Sequence, residues 1–251
     1  MRVLAIIHHP VAGAGVLPGV VAERGHELEF WTPSEQELPR PLEDYGAVLA
    51  FGGGMQPDED DLHPWLLTAL EALRVCLEGA IPTLGICLGG QLLARAAGGQ
   101  VGPARQPETG WRAIDLTDDA LRDELLGGMP PRFDVYQWHS YAFDLPPDGV
   151  LLARSEVALQ CFRVGDCAWG LQWHPEVLGD AILYWAEHHR PAPDGVPVEI
   201  DLEALRTEVA TRIGQTNADG RRLFERFLAV AESRAATRHG DLTRGGRSDQ
   251  Q

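Results

Sequence analysis

The sequence predicts an α/β fold, a doubly wound, mostly parallel sheet with flanking helices, and three observations carry that expectation. Residues 3–7, 47–51 and 81–87 are short continuous apolar runs, the signature of strands buried on both faces. Between the second and third runs, Leu62, Leu66, Ala69, Leu70, Leu73 and Leu77 recur at helical spacing, as a crossover helix requires. From about Trp111 the period shortens to strand-like stretches joined by Pro/Gly turns, at residues 111–116, 133–139, 150–153, 158–163 and 168–173, which extend the sheet.

The remaining elements follow in order. Residues 25–31 form a weaker strand candidate around Leu28 and Phe30, and residues 91–97 read as a helix ended by Gly98-Gly99. Residues 191–199 hold three prolines and read as a linker. After them, Leu202, Leu205, Val209 and Ile213, then Leu223, Phe224, Phe227 and Leu228, mark two amphipathic helices. The expected organisation is a principal domain over residues 1–190, a C-terminal helical extension over 191–235, and a polar, Gly- and Arg-rich tail over 236–251 that is expected to be disordered.

Composition narrows the partners. A chain of 251 residues with 44% hydrophobic and 23% charged residues is long enough for one α/β domain with a full core. Lys and Arg number 21 against 37 Asp and Glu, giving a net charge of −16 that repels phosphate backbones and anionic lipid, so no nucleic-acid or membrane partner is expected. No stretch approaches the ~20 uninterrupted apolar residues of a membrane span. The first apolar run turns polar at His8-His9-Pro10 and lacks the features of a signal peptide, so a cytoplasmic protein is expected. Cys76, Cys87, Cys161 and Cys167 form no C-x-x-C pair, and reduced thiols are the expectation.

Three pieces of the sequence carry chemistry. Gly85-Ile86-Cys87-Leu88-Gly89 sets a nucleophile type between glycines at a strand-to-helix junction, where a sharp turn needs small neighbours and holds the side chain clear of the sheet. The N-terminus of the following helix favours negative charge on the sulfur. Taken alone, this cysteine is as readily a buried structural thiol. In Gln172-Trp173-His174-Pro175-Glu176, an imidazole and a carboxylate flank one proline just after a strand, so that the carboxylate can fix the ring's tautomer. Phe51-Gly52-Gly53-Gly54-Met55 ends another parallel strand and can aim a backbone N–H into the cleft at the sheet's carboxyl edge, although glycine-rich turns are usually only turns.

Together, Gly85-Ile86-Cys87-Leu88-Gly89-Gly90-Gln91 and Trp173-His174-Pro175-Glu176 resemble the class I glutamine amidotransferase family in order and separation. The likeness extends through Gly110-Trp111, Gln137-Trp138-His139-Ser140 and Phe143-Asp144-Leu145-Pro146, covers about residues 1–190, and is nearest to stand-alone proteins similar to the glutaminase half of GMP synthase. The resemblance implies a Cys87 nucleophile, His174 as general base and acid, and Glu176 as its orienter. It further implies oxyanion donors in the N–H groups of Gly53 and Leu88, and a substrate site built from Gln91, Trp138, Ser140 and Tyr141. Gly54 departs from the proline the family often has there. The implied reaction is hydrolysis of the glutamine side-chain amide through a γ-glutamyl thioester, with no metal or cofactor.

Two functions share this chemistry. In one, the protein supplies ammonia to a synthetase, which must be a separate protein because the chain holds no Walker-type phosphate loop. In the other, it is a free-standing γ-glutamyl hydrolase or peptidase acting on γ-glutamyl amines or peptides. Blander readings apply elsewhere. His8-His9 at the end of the first strand could touch the cleft but reads as a structural or solvated pair, and His188-His189 near a helix end reads as complementing the helix dipole. Glu108 could face substrate but reads as an exposed loop carboxylate, and Asp58-Glu59-Asp60-Asp61 reads as an acidic run at a helix start. Cys161 and Cys167 flank a hairpin without further zinc ligands.

Overall fold

A computed structural model describes residues 1–9, 13–188 and 200–245, with side chains in the last helix as far as Ala236. Among the described residues, nine strands form one mixed sheet. In chain order they are β1 (Arg2–Ile6), β2 (Glu27–Trp31), β3 (Ala47–Ala50), β4 (Thr83–Ile86), β5 (Val101–Leu116), β6 (Arg132–Phe143), β7 (Val150–Arg154), β8 (Leu159–Val164) and β9 (Ala168–Leu171). Their spatial order is β2-β1-β3-β4-β9-β8-β7-β5-β6. The first five in that order run parallel, and the rest pair antiparallel. The three apolar runs are therefore β1, β3 and β4, adjacent and buried.

Alternation along these strands assigns the helices to faces. Val3, Ala5, Ala47 and Leu49 point to a core shared with α1 (Leu17–Glu23) and α5 (Leu202–Gly245), through Leu17, Val20, Phe224 and Phe227. Leu4, Ile6, Val48 and Ala50 point to the opposite core, filled by α2 (Trp65–Glu78) and α3 (Leu88–Ala96). A smaller cluster joins Trp111 and Tyr136 to α4 (Gly179–His188) and the start of α5, through Ile182, Leu205 and Val209. Among the described residues no helix is long and apolar enough to cross a membrane.

The C-terminal region departs from the sequence expectation. One continuous helix replaces the two amphipathic ones, and its backbone stays helical to Gly245, past the start of the expected tail at residue 236. The physical reason is an inward-facing stripe, buried or half-buried, that runs without a break from Leu205 to Ala231. Leu205, Val209, Ile213, Thr216, Gly220, Leu223, Phe227 and Ala231 succeed one another at steps of three or four. Between the two apolar groups the stripe is polar at Thr216, which accepts from Trp111 Nε1, and bare at Gly220, which lies on backbone. Gly220 passes so close to Pro175 that a Cβ there would stand 1.8 Å from the carbonyl oxygen. The linker residues 191–199 lie outside the described residues, as do the last six of the tail, 246–251.

Sequence periodicity marked no helix at α1, whose Pro18 occupies the first turn, where a missing N–H costs nothing. The acidic run at residues 58–61 precedes α2 by several residues and is not its first turn. Instead, the Glu59 carboxylate accepts the Gln56 N–H at 2.7 Å, and Asp60 takes both arms of the Arg95 guanidinium, at 3.0 and 2.7 Å.

Candidate functional site

Cys87 stands between β4 and α3 with φ 52° and ψ −112°, a conformation sparsely populated by residues bearing a Cβ. Its N–H donates to Leu171 O of β9 at 2.8 Å, which ties the turn to the centre of the sheet. The flanking glycines are explained by close approach. A Cβ on Gly89 would stand 2.0 Å from Ala50 O, and one on Gly90 would stand 2.5 Å from Leu171 O. Only a bare backbone lets α3 start this near β3 and β9, with its N-terminus behind the thiol.

His174 and Glu176 follow β9 on a buried turn. Nδ1 of His174 lies 2.7 Å from Oε1 of Glu176, and both side chains are almost wholly enclosed. Burial opposes a charged imidazole, but the Glu176 carboxylate and then the Cys87 sulfur outweigh it and push the His174 pKa up to about 10. Nε2 of His174 is buried and makes no hydrogen bond among the described residues. The ring also meets Trp185 of α4 edge-on, centroids 5.0 Å apart.

The Gly52-Gly53 backbone closes this side of the cleft. A Cβ on Gly52 would stand 3.2 Å from Cε1 of His174 and 3.7 Å from Cβ of Cys87, and one on Gly53 would stand 2.7 Å from Cδ2 of Leu88. Gly53 and Leu88 are thus neighbours across the cleft floor. The Leu88 N–H opens α3, where helical geometry offers it no intrahelical acceptor. The surroundings of Gly54 are open.

His8 was undervalued in the sequence. At the carboxyl end of β1 it is 2% exposed, stacks on Trp65, and donates from Nδ1 to Phe51 O at 2.8 Å; the Gly89 N–H shares that acceptor. It therefore fixes the strand end from which Gly52 and Gly53 depart. Burial, only partly offset by its backbone hydrogen bonds, lowers its pKa to about 4. His9 is exposed, and His188 donates back to Tyr184 O on α4 at 2.9 Å.

Trp138, Ser140 and Tyr141, the residues expected to face substrate, lie on β6, and Gln91 reaches that strand from α3. The Cys87 sulfur lies 3.9 Å from Trp138 O. Gln91, buried in α3, donates to Tyr141 O at 2.9 Å and to Gln172 Oε1 at 3.2 Å. Ser140 is exposed and Tyr141 half-buried.

Glu108 corrects the sequence expectation of an exposed loop carboxylate. It is 4% exposed within β5, where Oε2 accepts from Ser155 and Gln160, each at 2.9 Å, and lies 3.2 Å from Nε2 of His139. Nδ1 of His139 donates to Tyr141 O at 2.9 Å, so that carbonyl is held by both Gln91 and His139. No sequence signal marked Glu108, because its partners come from β6, β8 and the turn before β8.

The family model described as glutamine amidotransferase class-I matches residues 17–181, about two thirds of the chain. The chain belongs to the class I glutamine amidotransferase family. Among curated relatives of this amidotransferase, the glutamine-hydrolysing GMP synthase of Thermomicrobium roseum is 38% identical over 145 residues, 55% of this chain and 25% of that one. A glutamine-hydrolysing GMP synthase subunit from Sulfurisphaera tokodaii is 35% identical over 139 residues, 54% of this chain and 70% of that one. The amidotransferase thus matches only about a quarter of the first relative's length. A solved glutamine amidotransferase from Thermotoga maritima aligns with a TM-score of 0.78 at 30% identity, over 90% of this chain and 97% of that one. Another, from Methylobacillus flagellatus, gives 0.79 at 27% identity, over 91% and 94%.

Proposed function

We propose that this amidotransferase hydrolyses the side-chain amide of glutamine through a γ-glutamyl thioester on Cys87. One observation carries the reading: a cysteine at a strained strand-to-helix turn shares a buried site with an imidazole whose far nitrogen is held by a carboxylate. The Cys87 thiolate attacks the δ-carbon, and the N–H groups of Gly53 and Leu88 stabilise the oxyanion. The tetrahedral adduct collapses as the His174 imidazolium gives its proton to the departing nitrogen, so the C–N bond breaks and ammonia leaves. Neutral His174 then takes a proton from water, whose oxygen attacks the thioester. Cys87 departs as thiolate, and glutamate forms. Glu176 keeps the ring oriented throughout, while Gln91, Trp138, Ser140 and Tyr141 receive the substrate's amino-acid end. Neither metal nor cofactor enters these steps, and the setting is cytoplasmic.

Whether ammonia passes to a separate synthetase divides the two readings. Relatives named as subunits of GMP synthase support a donor role. The packing of α5 against α1 and α4 favours a site finished within one chain, and with it a free-standing hydrolase of γ-glutamyl amines or peptides. The test is to incubate purified protein with glutamine and a panel of γ-glutamyl amides, measuring ammonia or amine release. Turnover of glutamine without a partner supports the proposal. Rapid release from a γ-glutamyl amine with glutamine inert selects the second reading, and a folded, silent protein that copurifies with an ATP-using enzyme restores the donor role.

A further inference from the structure

We infer that Asn217 and Gly220 of α5 are positioning residues that hold the turn carrying His174 and Glu176; the inference rests on the proposed pairing of those residues with Cys87. The peptide units of this turn are tied to three elements, two of them to α5. The His174 N–H donates to Tyr136 O of β6 at 3.0 Å. The Glu176 carbonyl accepts the Val16 N–H at 3.0 Å, at the entry to α1. The Val177 carbonyl accepts Nδ2 of Asn217 at 2.7 Å. Pro175 presents its carbonyl to Gly220, where no side chain fits.

The register of α5 is fixed on both sides of this contact. Trp111 of β5 donates from Nε1 to Oγ1 of Thr216 at 2.8 Å, one turn before Gly220. Beyond it, Leu223, Phe224 and Phe227 are locked in the main core. The helix therefore cannot retreat from Pro175 without opening that core. Because Pro175 lies between His174 and Glu176, a displaced carbonyl moves the imidazole and carboxylate relative to Cys87, and a misplacement of about 1 Å can cost such a reaction about 10²-fold in rate. Gly214 supplies the control. It lies on the same helix, and a Cβ there would meet nothing within 4 Å.

The experiment compares full-length wild type, Gly220→Ala, Asn217→Ala and Gly214→Ala. It reads kcat and KM for glutamine and the pH dependence of Cys87 alkylation by iodoacetamide, with folding checked by near-ultraviolet circular dichroism and cooperative melting. Alanine is intrinsically favoured over glycine inside a helix, so Gly214→Ala should melt higher with unchanged kcat and alkylation profile. Gly220→Ala should stay folded but lose about tenfold or more in kcat at similar KM, with slower alkylation of Cys87 at a given pH. Asn217→Ala should move the same readouts in the same direction by less.

A folded Gly220→Ala with wild-type kcat and profile overturns the inference. If Gly220→Ala fails to fold, an Asn217→Ala protein indistinguishable from wild type overturns it instead. Should wild type leave glutamine untouched while its alkylation profile still shifts in both variants, the inference stands and only the substrate falls. A wild-type Cys87 that alkylates like an isolated thiol overturns the pairing and this inference together.

Discussion

His174 meets Glu176 at 2.7 Å in a space closed to solvent, and this contact lets a buried imidazole keep its proton far above neutrality. The folded pKa of about 10 lies above the ordinary value near 6.5. The stabilisation from the charged ring is therefore complete below about pH 6.5 and is lost as pH rises through about 10. In the proposed mechanism the same proton goes to the leaving nitrogen. The alkaline limb of kcat/KM should thus fall near pH 10, and Glu176→Gln should move it towards neutrality. A limb that stays in place in the variant would detach Glu176 from this role.

Truncation should rank the two residues. Glu176→Ala is expected to lower kcat by about 10² to 10⁴-fold, and His174→Ala by more, since the carboxylate orients the ring while the ring moves the protons. Steady-state ammonia release measures both. An unchanged kcat in Glu176→Ala would refute its assignment as orienter.

Thiol selectivity should be sharp. All four cysteines are free and buried, but only Cys87 shares its surroundings with His174. Burial pushes the Cys76 thiol up to about 12 and holds Cys161 well above the usual range. A glutamine-like electrophile should label Cys87 alone by mass spectrometry. Cys87→Ala should abolish both label and turnover while shifting Tm by no more than a few degrees, about 1 kcal/mol at this size. Label mainly on Cys76, Cys161 or Cys167 would remove Cys87 from the mechanism.

His8 should govern part of the acid stability. Its folded pKa of about 4 lies below the unfolded value near 6.5, so stability is full above about 6.5 and declines as pH falls towards 4. The slope from this one group is at most about 1.4 kcal/mol per pH unit. His8→Gln keeps a donor for Phe51 O without a titrating ring, and its Tm should vary less than wild type over that window. Parallel Tm curves for the two proteins would contradict the assignment.

Removal of everything after residue 190 should prevent folding. Phe224, Phe227 and Leu228 are fully buried in the principal core. Phe227→Ala alone should cost about 3–5 kcal/mol in denaturant unfolding, against about 5–15 kcal/mol for a whole domain. A stable, soluble fragment ending near residue 190 would show that the core does not need α5.

What could be read in advance follows from where the information lies along the chain. The runs at β1, β3 and β4 were legible because buried parallel strands are apolar throughout, and the Cys87 turn because Gly85, Gly89 and Gly90 are forced by backbone contact. His174 and Glu176 are two residues apart, so their pairing was visible as a local motif. Glu108 and His8 were misjudged because what buries them arrives from strands 31 to 52 residues away in sequence. The unity of α5 was hidden for a related reason. Gly220 interrupts the apolar stripe in sequence and continues it in space, since its neighbour is the Pro175 carbonyl and not a side chain.

The threading of α5 through the first core also sets an order of events during synthesis. Val3 and Ala5 leave the ribosome well before Phe224 and Phe227, so until those are translated their face of the sheet is covered by α1 but not by α5. At about 5–20 residues per second this face of the nascent sheet waits on the order of ten seconds or more only partly covered. The turn bearing His174 likewise lacks its support from Asn217 and Gly220 until α5 has been made.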